Sequence, residues 1–312
     1  MLNFSVPKLD ALDRKQMGIA LLMGTLILAG SIYFYPKDEK QAPVAEAPKP
    51  AAPDAYKDVR LQGKAAIVYD LTTGLSLYER NADAQLPLAS LTKLLSTYAA
   101  TDALAPATPI TVTPEALAAD GDSGLQVGEV FALKDIAKLA LVASSNDAAE
   151  AITDAARDNR SLTTESLLRN AAAAVELSQT YAVNGTGLDE NETVSGGYGS
   201  AHDVARLAGA LLAKDPDIAH ATTQRSITVQ SLTGVTHTLP NTDTLVDRFP
   251  NLLLSKTGFT DLAGGNLVIV FDVALNHPVA VVVLGSTREA RFTDVDTLVN
   301  ATLAHFADIS PS

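Results

Sequence analysis

The order of strand and helix patterns along the chain constrains its fold more than any other feature. Two β-rich segments, AAIVYD at 65–70 and LSLYER at 75–80, flank a turn that contains Gly and predict a hairpin. Three more β-rich runs, NLLLSKTG, NLVIVFDV and PVAVVVLGS, come late in the chain, before a closing helix near 290–306. Apolar residues between the two groups recur with helical spacing, as in TESLLRNAAAAVEL and AHDVARLAGALLAK. This order predicts an α+β fold, in which N- and C-terminal strands form one antiparallel sheet and enclose an inserted helical region.

An uncharged apolar run at 17–35 precedes this domain and follows three basic residues. It is long enough to span a bilayer, and it leads through aromatic residues into PKDEK without a small-residue cleavage site. We therefore expect a retained N-terminal transmembrane helix, with residues 1–16 in the cytoplasm; a buried core helix is the alternative. The Pro- and Ala-rich segment 36–57 predicts an extended linker to a domain at 58–312 outside the cytoplasm.

Composition excludes several classes of function. The net charge of −13 is unsuited to holding nucleic-acid phosphates, so we expect no nucleic-acid partner. The absence of Cys excludes disulfides, thiolate catalysis and Cys-based metal sites, and the five His residues show no paired ligand spacing. We therefore expect neither a metal nor another cofactor. No GxSxG motif is present, which argues against a hydrolase with that type of nucleophile turn.

A serine and a lysine share one turn at the start of the first predicted helix. In LASLTKLL, Ser90 is followed three residues later by Lys93, on the side of the helix away from its Leu residues. A serine becomes a strong nucleophile when a neighbouring base takes its proton, and a lysine serves as that base only when its amine is neutral. We expect burial and a second nearby cation to lower the pKa of Lys93.

Two further motifs, SSN at 144–146 and KTG at 256–258, place polar side chains where an active site could use them. Ser144 and Asn146 lie in SSN, between a predicted helix and the stretch NDAAEAI, and Lys256, Thr257 and Gly258 form KTG on a predicted strand. Side chains in a short connection can point into a cleft, and Gly on a strand permits close approach of a ligand. An N-cap and an edge-strand turn are the ordinary interpretations of each motif alone. Their joint occurrence, in this order and on these elements, favours an active site.

Together these motifs resemble those of the serine penicillin-recognising enzymes and, more narrowly, the low-molecular-mass D-alanyl-D-alanine carboxypeptidases. The resemblance extends from AAIVYDLTTGLSLYER through NGTGLDE and YGSAHDVARLA to LLLSKTGFTDLAGGNLVIV. It implies the β-lactamase/D,D-peptidase-like fold and a catalytic or substrate-binding role for Ser90, Lys93, Ser144, Asn146, Lys256, Thr257, Gly258, Phe259 and Arg291. Ser90 would be acylated, Lys93 would be its base, and the backbone N–H groups of Ser90 and Phe259 would form the oxyanion hole.

The resemblance implies a membrane-anchored serine D-alanyl-D-alanine carboxypeptidase that acts on peptidoglycan stem peptides ending in D-Ala-D-Ala and is inhibited by β-lactams. We expect it in the bacterial inner membrane, with its catalytic domain periplasmic or extracellular and a role in cell-wall biogenesis and cell shape. A D,D-endopeptidase, a class A-like β-lactamase and a non-catalytic peptidoglycan-binding protein are the alternatives. A lactamase needs a carboxylate base for deacylation, and Glu165, the only near match, lacks the required spacing. For Arg291, a solvated position at a helix start is the alternative to substrate binding.

Overall fold

A computed structural model describes residues 54–121 and 123–309 of the chain. The predicted cytoplasmic segment and membrane span, at 1–16 and 17–35, lie outside the described residues, as does most of the linker at 36–57. Within the part of the chain that the structure describes, no helix is both long enough and apolar enough to cross a membrane.

A five-stranded antiparallel sheet forms the framework, with strand order β10-β11-β12-β1-β2. Its strands are β1 (Ala65–Asp70), β2 (Leu75–Arg80), β10 (Leu252–Thr260), β11 (Gly264–Asp272) and β12 (Pro278–Ser286). The predicted sheet from both ends of the domain is therefore confirmed. The remaining strands pair in smaller sheets and are β3 (Leu86–Pro87), β4 (Pro109–Thr111), β5 (Val130–Ala132), β6 (Tyr181–Ala182), β7 (Gly197–Gly199), β8 (Ser226–Gln230) and β9 (Thr236–Pro240).

The helices lie between β2 and β10, apart from one that closes the chain. They are α1 (Thr92–Ala103), α2 (Leu133–Val142), α3 (Asn146–Arg160), α4 (Thr164–Ala174), α5 (Ala201–Lys214), α6 (Pro216–Ala221) and α7 (Ala290–Ile309). Side-chain caps fix several helix starts, because the first N–H groups of a helix lack partners within it. Ser200 begins α5 in this way, since its side chain accepts a hydrogen bond from the backbone N–H of Asp203.

Both faces of the sheet are buried, and β12 shows how the sequence achieves this. Val281 and Val283 pack in the cluster that includes Val295 and Leu298 of α7, whereas Val282 packs in the cluster beneath the inserted helices. Successive side chains of a strand point to opposite faces, so a continuous apolar run such as VAVVVL suits a strand that is covered on both sides. The sheet therefore lies between α7 and the inserted helical region.

The packed part of the domain extends upstream of residue 58, where the sequence predicted its start. Tyr56 is buried, and its hydroxyl donates to Thr302 Oγ1 of α7 at 3.1 Å. Its ring lies 5.6 Å from the ring of Tyr78 and 5.8 Å from that of His305, centroid to centroid. These contacts join the last residues of the predicted linker to the face of the sheet that α7 covers.

Candidate active site

Ser90 lies in a 3₁₀ turn, Ala89–Leu91, which continues directly into α1. The turn is held against the sheet by Asn266 of β11, whose amide nitrogen donates to the carbonyl oxygens of Pro87 and Leu88, each at 3.0 Å. Asn266 is fully buried, and its Oδ1 accepts the backbone N–H of Gly285 at 2.8 Å. Ser90 is therefore half-buried at the start of α1, in a turn that Asn266 ties to both β11 and β12.

Lys93 lies one helical turn beyond Ser90 and is completely buried. Its Nζ lies 2.9 Å from Ser90 Oγ, 2.6 Å from Asn146 Oδ1 and 2.9 Å from the carbonyl oxygen of Thr186. Burial disfavours the charged ammonium and lowers the pKa of Lys93 to about 7, against an opposing effect of the negative charge of Glu150. Of the two predicted causes, burial and a second cation, burial is therefore the principal reason why the amine can be neutral.

The junction of α2 and α3 supplies two polar side chains to the site. Asn146 contacts Lys93, and Ser144 contacts Lys256. The backbone of Ser144 takes a φ of 58°, in the left-handed region that non-glycine residues seldom adopt, and this turn separates the two helices. Ser145, rather than Ser144, caps α3, since its side chain accepts the N–H of Ala148. Because the cap is supplied by Ser145, the hydroxyl of Ser144 is available to accept a hydrogen bond from Lys256 Nζ at 3.0 Å.

Lys256 is also buried, on the central part of β10. Besides Ser144, its Nζ donates to the carbonyl oxygen of Thr257 at 2.8 Å. Burial lowers the pKa of Lys256 well below its ordinary value, the positive charges of Lys93 and Arg291 lower it further, and Asp243 opposes the shift. Two buried amines, each bonded to a serine hydroxyl, therefore lie near enough for the charge of one to act on the other.

Gly258 allows β10 to approach the turn that carries Ser90. A Cβ atom at this position would lie 2.9 Å from the carbonyl oxygen of Leu88 and 3.3 Å from the backbone nitrogen of Leu91. Any larger residue would push the strand away from the nucleophile turn. The close approach places β10, which carries Phe259 as the second predicted oxyanion donor, against the turn that carries Ser90.

Arg291 is buried at the start of α7 rather than solvated, so the alternative given by the sequence is wrong. Its Nη1 donates to the carbonyl oxygen of Gly258 at 2.7 Å. The described contact of Arg291 is therefore with the backbone of the KTG strand, and a direct contact with substrate stays a prediction. An exposed neighbour, Arg288, lies over the ring of Phe259, 3.8 Å from its centroid.

Several residues at the site were given no role from the sequence, although Thr186 and Asn266 lie in stretches that carry the resemblance. Thr186 and Asn266 make the contacts described above, and Thr242 Oγ1 lies 2.6 Å from Thr257 Oγ1. Asn and Thr are common residue types, and only their three-dimensional neighbours distinguish these positions. Glu165, the one carboxylate considered as a deacylation base, is exposed on α4. The groups that influence its pKa are all local, from Thr163 to Arg169.

The sheet, the inserted helices and the Ser90–Lys93 pair define an enzyme of the serine peptidase class. Residues 49–288 match the D-alanyl-D-alanine carboxypeptidase family, and the chain belongs to this family. It is therefore a hydrolase of the D,D-peptidase type.

Three known proteins illustrate the similarity. A D-alanyl-D-alanine endopeptidase of Escherichia coli K12 is 31% identical over 269 residues, which cover 82% of each chain. The D-alanyl-D-alanine carboxypeptidase DacD of the same organism is 30% identical, over 72% of this chain and 59% of DacD. The ampicillin-bound crystal structure of penicillin-binding protein D2 from Listeria monocytogenes superposes with a TM-score of 0.66 at 27% identity, covering 78% of this chain and 98% of that one.

Proposed function

We propose that the protein is a membrane-anchored serine D-alanyl-D-alanine carboxypeptidase that forms an acyl-enzyme on Ser90. The observation that carries this proposal is the buried amine of Lys93, 2.9 Å from Ser90 Oγ, with a pKa lowered to about 7. A base with a pKa near the working pH combines a useful neutral fraction with sufficient basicity. The lowered pKa of Lys93 distinguishes the Ser90–Lys93 pair from a serine and a lysine on the protein surface.

In the acylation step, the neutral amine of Lys93 takes the proton of Ser90 while Oγ attacks the carbonyl carbon of the penultimate D-Ala. The backbone N–H groups of Ser90 and Phe259 stabilise the oxyanion. The C–N bond then breaks as Ser144 gives its proton to the departing D-alanine and recovers one from the Lys93 ammonium, which leaves Lys93 neutral again; the hydrogen bond from Lys256 to Ser144 supports this role. In the second step Lys93 takes a proton from the water that attacks the ester carbonyl, and that proton passes to Ser90 Oγ as the ester C–O bond breaks.

Lys256 and Thr257 bind the terminal carboxylate of the substrate in this proposal. Two buried hydrogen-bond donors, the Lys256 amine and the Arg291 guanidinium, lie on or against the KTG strand and favour an anion there. The carboxylate of a β-lactam would occupy the same position, which accounts for inhibition by this class of compound. The ampicillin complex of the similar Listeria protein supports this part of the proposal.

Residues 17–35 anchor the protein in the bacterial inner membrane, and 36–57 let the domain reach peptidoglycan outside the cytoplasm. The support is the length of the uncharged run and the Pro-rich composition that follows it.

A D,D-endopeptidase of the same mechanism is the second candidate. The similarity to the Escherichia coli endopeptidase, 31% identical over 82% of each chain, supports this candidate. The two activities differ in whether the amine released is free D-alanine or the side chain of a crosslinked peptide.

Incubation of the full chain with a fluorescent penicillin, a peptide ending in D-Ala-D-Ala and a crosslinked dimeric peptide tests both candidates. We expect an adduct on Ser90, located by mass spectrometry, release of D-alanine, and neither product with Ser90→Ala. An adduct on Ser144 would contradict the assignment of the nucleophile. Faster cleavage of the dimer than of the linear peptide would favour the endopeptidase.

A further inference from the structure

The segment Asn241–Thr242–Asp243 contacts the KTG strand through two hydrogen bonds between side chains. Thr242 Oγ1 lies 2.6 Å from Thr257 Oγ1, and Asp243 Oδ2 accepts the hydroxyl of Ser255 at 2.5 Å. Ser255 and Thr257 are two residues apart on β10 and therefore share one face of the strand. The segment thus holds the residues immediately before and after Lys256.

The backbone of Thr242 is itself fixed. Its N–H donates to the carbonyl oxygen of Val142, the last residue of α2, at 3.1 Å. Asn241 donates through Nδ2 to the carbonyl oxygens of Thr222 and Gln224, and its Oδ1 accepts the N–H of Asp243 at 2.8 Å. Asp243 is buried, so this anchor is protected from water. The Thr242 hydroxyl therefore has little freedom to leave Thr257.

A hydroxyl has a single proton, and this sets the direction of the hydrogen bond once an anion is present. Either threonine can be the donor in the unliganded pair. When Thr257 donates its proton to a carboxylate, its oxygen can still accept, and Thr242 must then be the donor. In such a chain each hydrogen bond polarises the next, which strengthens the contact with the anion.

We propose that Thr242 is a specificity-determining residue for the C-terminal carboxylate: its hydroxyl donates to Thr257 and directs the Thr257 proton toward the ligand anion. Thr242 is a positioning residue, because it acts through Thr257 rather than on the reacting atoms. The inference rests on the proposed function, in which Thr257 binds that carboxylate.

The test compares Thr242→Val with a matched control in the full chain. Val has the shape of Thr without its hydroxyl, and Thr242→Ser restores the hydroxyl. Thr238→Val is the control, since Thr238 Oγ1 makes the same kind of bond with Thr228 Oγ1, at 2.9 Å, on the exposed face of the β8–β9 hairpin. The ligands are a D-Ala-D-Ala peptide and its C-terminal amide, and benzylpenicillin and its methyl ester.

We expect Thr242→Val to raise KM for the free peptide and to lower the second-order acylation constant of benzylpenicillin, each about tenfold. The amide and the ester should react as they do with the wild type, and Thr242→Ser and Thr238→Val should leave all four reactions unchanged. The unfolding midpoint, followed in parallel, should be close to that of Thr238→Val. These results would support a role in carboxylate recognition.

Two results would overturn the inference while leaving the proposed function intact. One is a Thr242→Val variant that matches Thr238→Val on every ligand. The other is an equal loss on charged and neutral ligands, which would indicate a general structural role. A wild-type protein that forms no adduct with benzylpenicillin and cleaves neither peptide would overturn the proposed function and this inference together.

Discussion

At the scale of single residues, the proposed mechanism depends on the protonation of Lys93. Its pKa is lowered to about 7, so the amine is mostly protonated below that pH and mostly neutral above it. The second-order rate constant for acylation by a penicillin should rise about tenfold per pH unit up to pH 6 and level off above pH 7 to 8. Stopped-flow fluorescence checks the profile, and a flat profile across this range would contradict the general-base role.

The Lys93→Arg variant tests the same role by substitution. We expect no penicillin adduct on Ser90 in this variant, because a guanidinium keeps its proton at working pH.

Glu150 should set the position of that profile. Its negative charge opposes the loss of the Lys93 proton, so Glu150→Gln removes a group that raises the pKa of Lys93. The rising limb of the acylation profile should therefore move to lower pH. Glu165→Gln is the control, since Glu165 is exposed on α4 and its pKa responds only to local groups. A shift to higher pH, or equal shifts in both variants, would argue against this electrostatic coupling.

The exposed position of Glu165 also bears on turnover. A departing D-alanine clears the face of the ester that water must reach, whereas the opened β-lactam stays attached and covers it. We expect D-alanine release over many turnovers but a penicillin adduct that persists, with Glu165→Ala indistinguishable from the wild type. The decay of the adduct, followed by mass spectrometry, measures this. Rapid penicillin hydrolysis that Glu165→Ala abolishes would favour a β-lactamase.

At the scale of elements, Asn266 joins three parts of the fold at the nucleophile turn. Asn266→Ala would remove the Asn266 side chain from the carbonyl oxygen of Pro87 and the N–H of Gly285, while the carbonyl oxygen of Leu88 would keep only its bond from the N–H of Leu91. A buried unsatisfied polar group costs about 1 to 3 kcal/mol, so we expect a loss of about 3 kcal/mol in the free energy of unfolding. Urea denaturation measures it.

The matched control for that variant is Asn300→Ala. Asn300 is exposed on α7, and its amide donates to the carbonyl oxygen of Asp296 within the same helix. We expect the free energy of unfolding of the Asn300→Ala variant to stay within about 0.5 kcal/mol of the wild-type value. Similar losses for Asn266→Ala and Asn300→Ala would show that the nucleophile turn does not depend on Asn266.

At the scale of the whole molecule, the residue at which the chain begins should affect the stability of the domain. A chain that begins at Asp54 keeps Tyr56 with its hydrogen bond to Thr302, whereas one that begins at Asp58 loses both. Removing a buried aromatic side chain costs about 3 to 5 kcal/mol. The shorter chain should therefore unfold at a clearly lower temperature, while the longer one should match the full chain in acylation rate. Equal melting temperatures by calorimetry would show that Tyr56 contributes nothing.

The sequence alone determined the elements that rest on local periodicity. The hairpin of β1 and β2 and the helix α5 have the predicted bounds, because alternation, helical spacing and turn residues act over a few positions. The motifs also fixed the family, since their residue types and order along the chain are themselves the signal. Small strands such as β3 and β6 lack such a pattern and were not predicted.

The tertiary structure alone decided which polar groups meet. Lys93 contacts the carbonyl oxygen of Thr186, 93 positions away, and Lys256 contacts Ser144 across 112 positions. Neither Thr186 nor Thr242 belongs to a periodic pattern, and although Thr186 lies in the quoted NGTGLDE, neither residue could be given a contact from the sequence. Burial of Lys93, which lowers its pKa, likewise results from elements that pack around it from distant parts of the chain. Local propensity acts within a few residues, whereas proximity and desolvation arise only when the whole domain has folded.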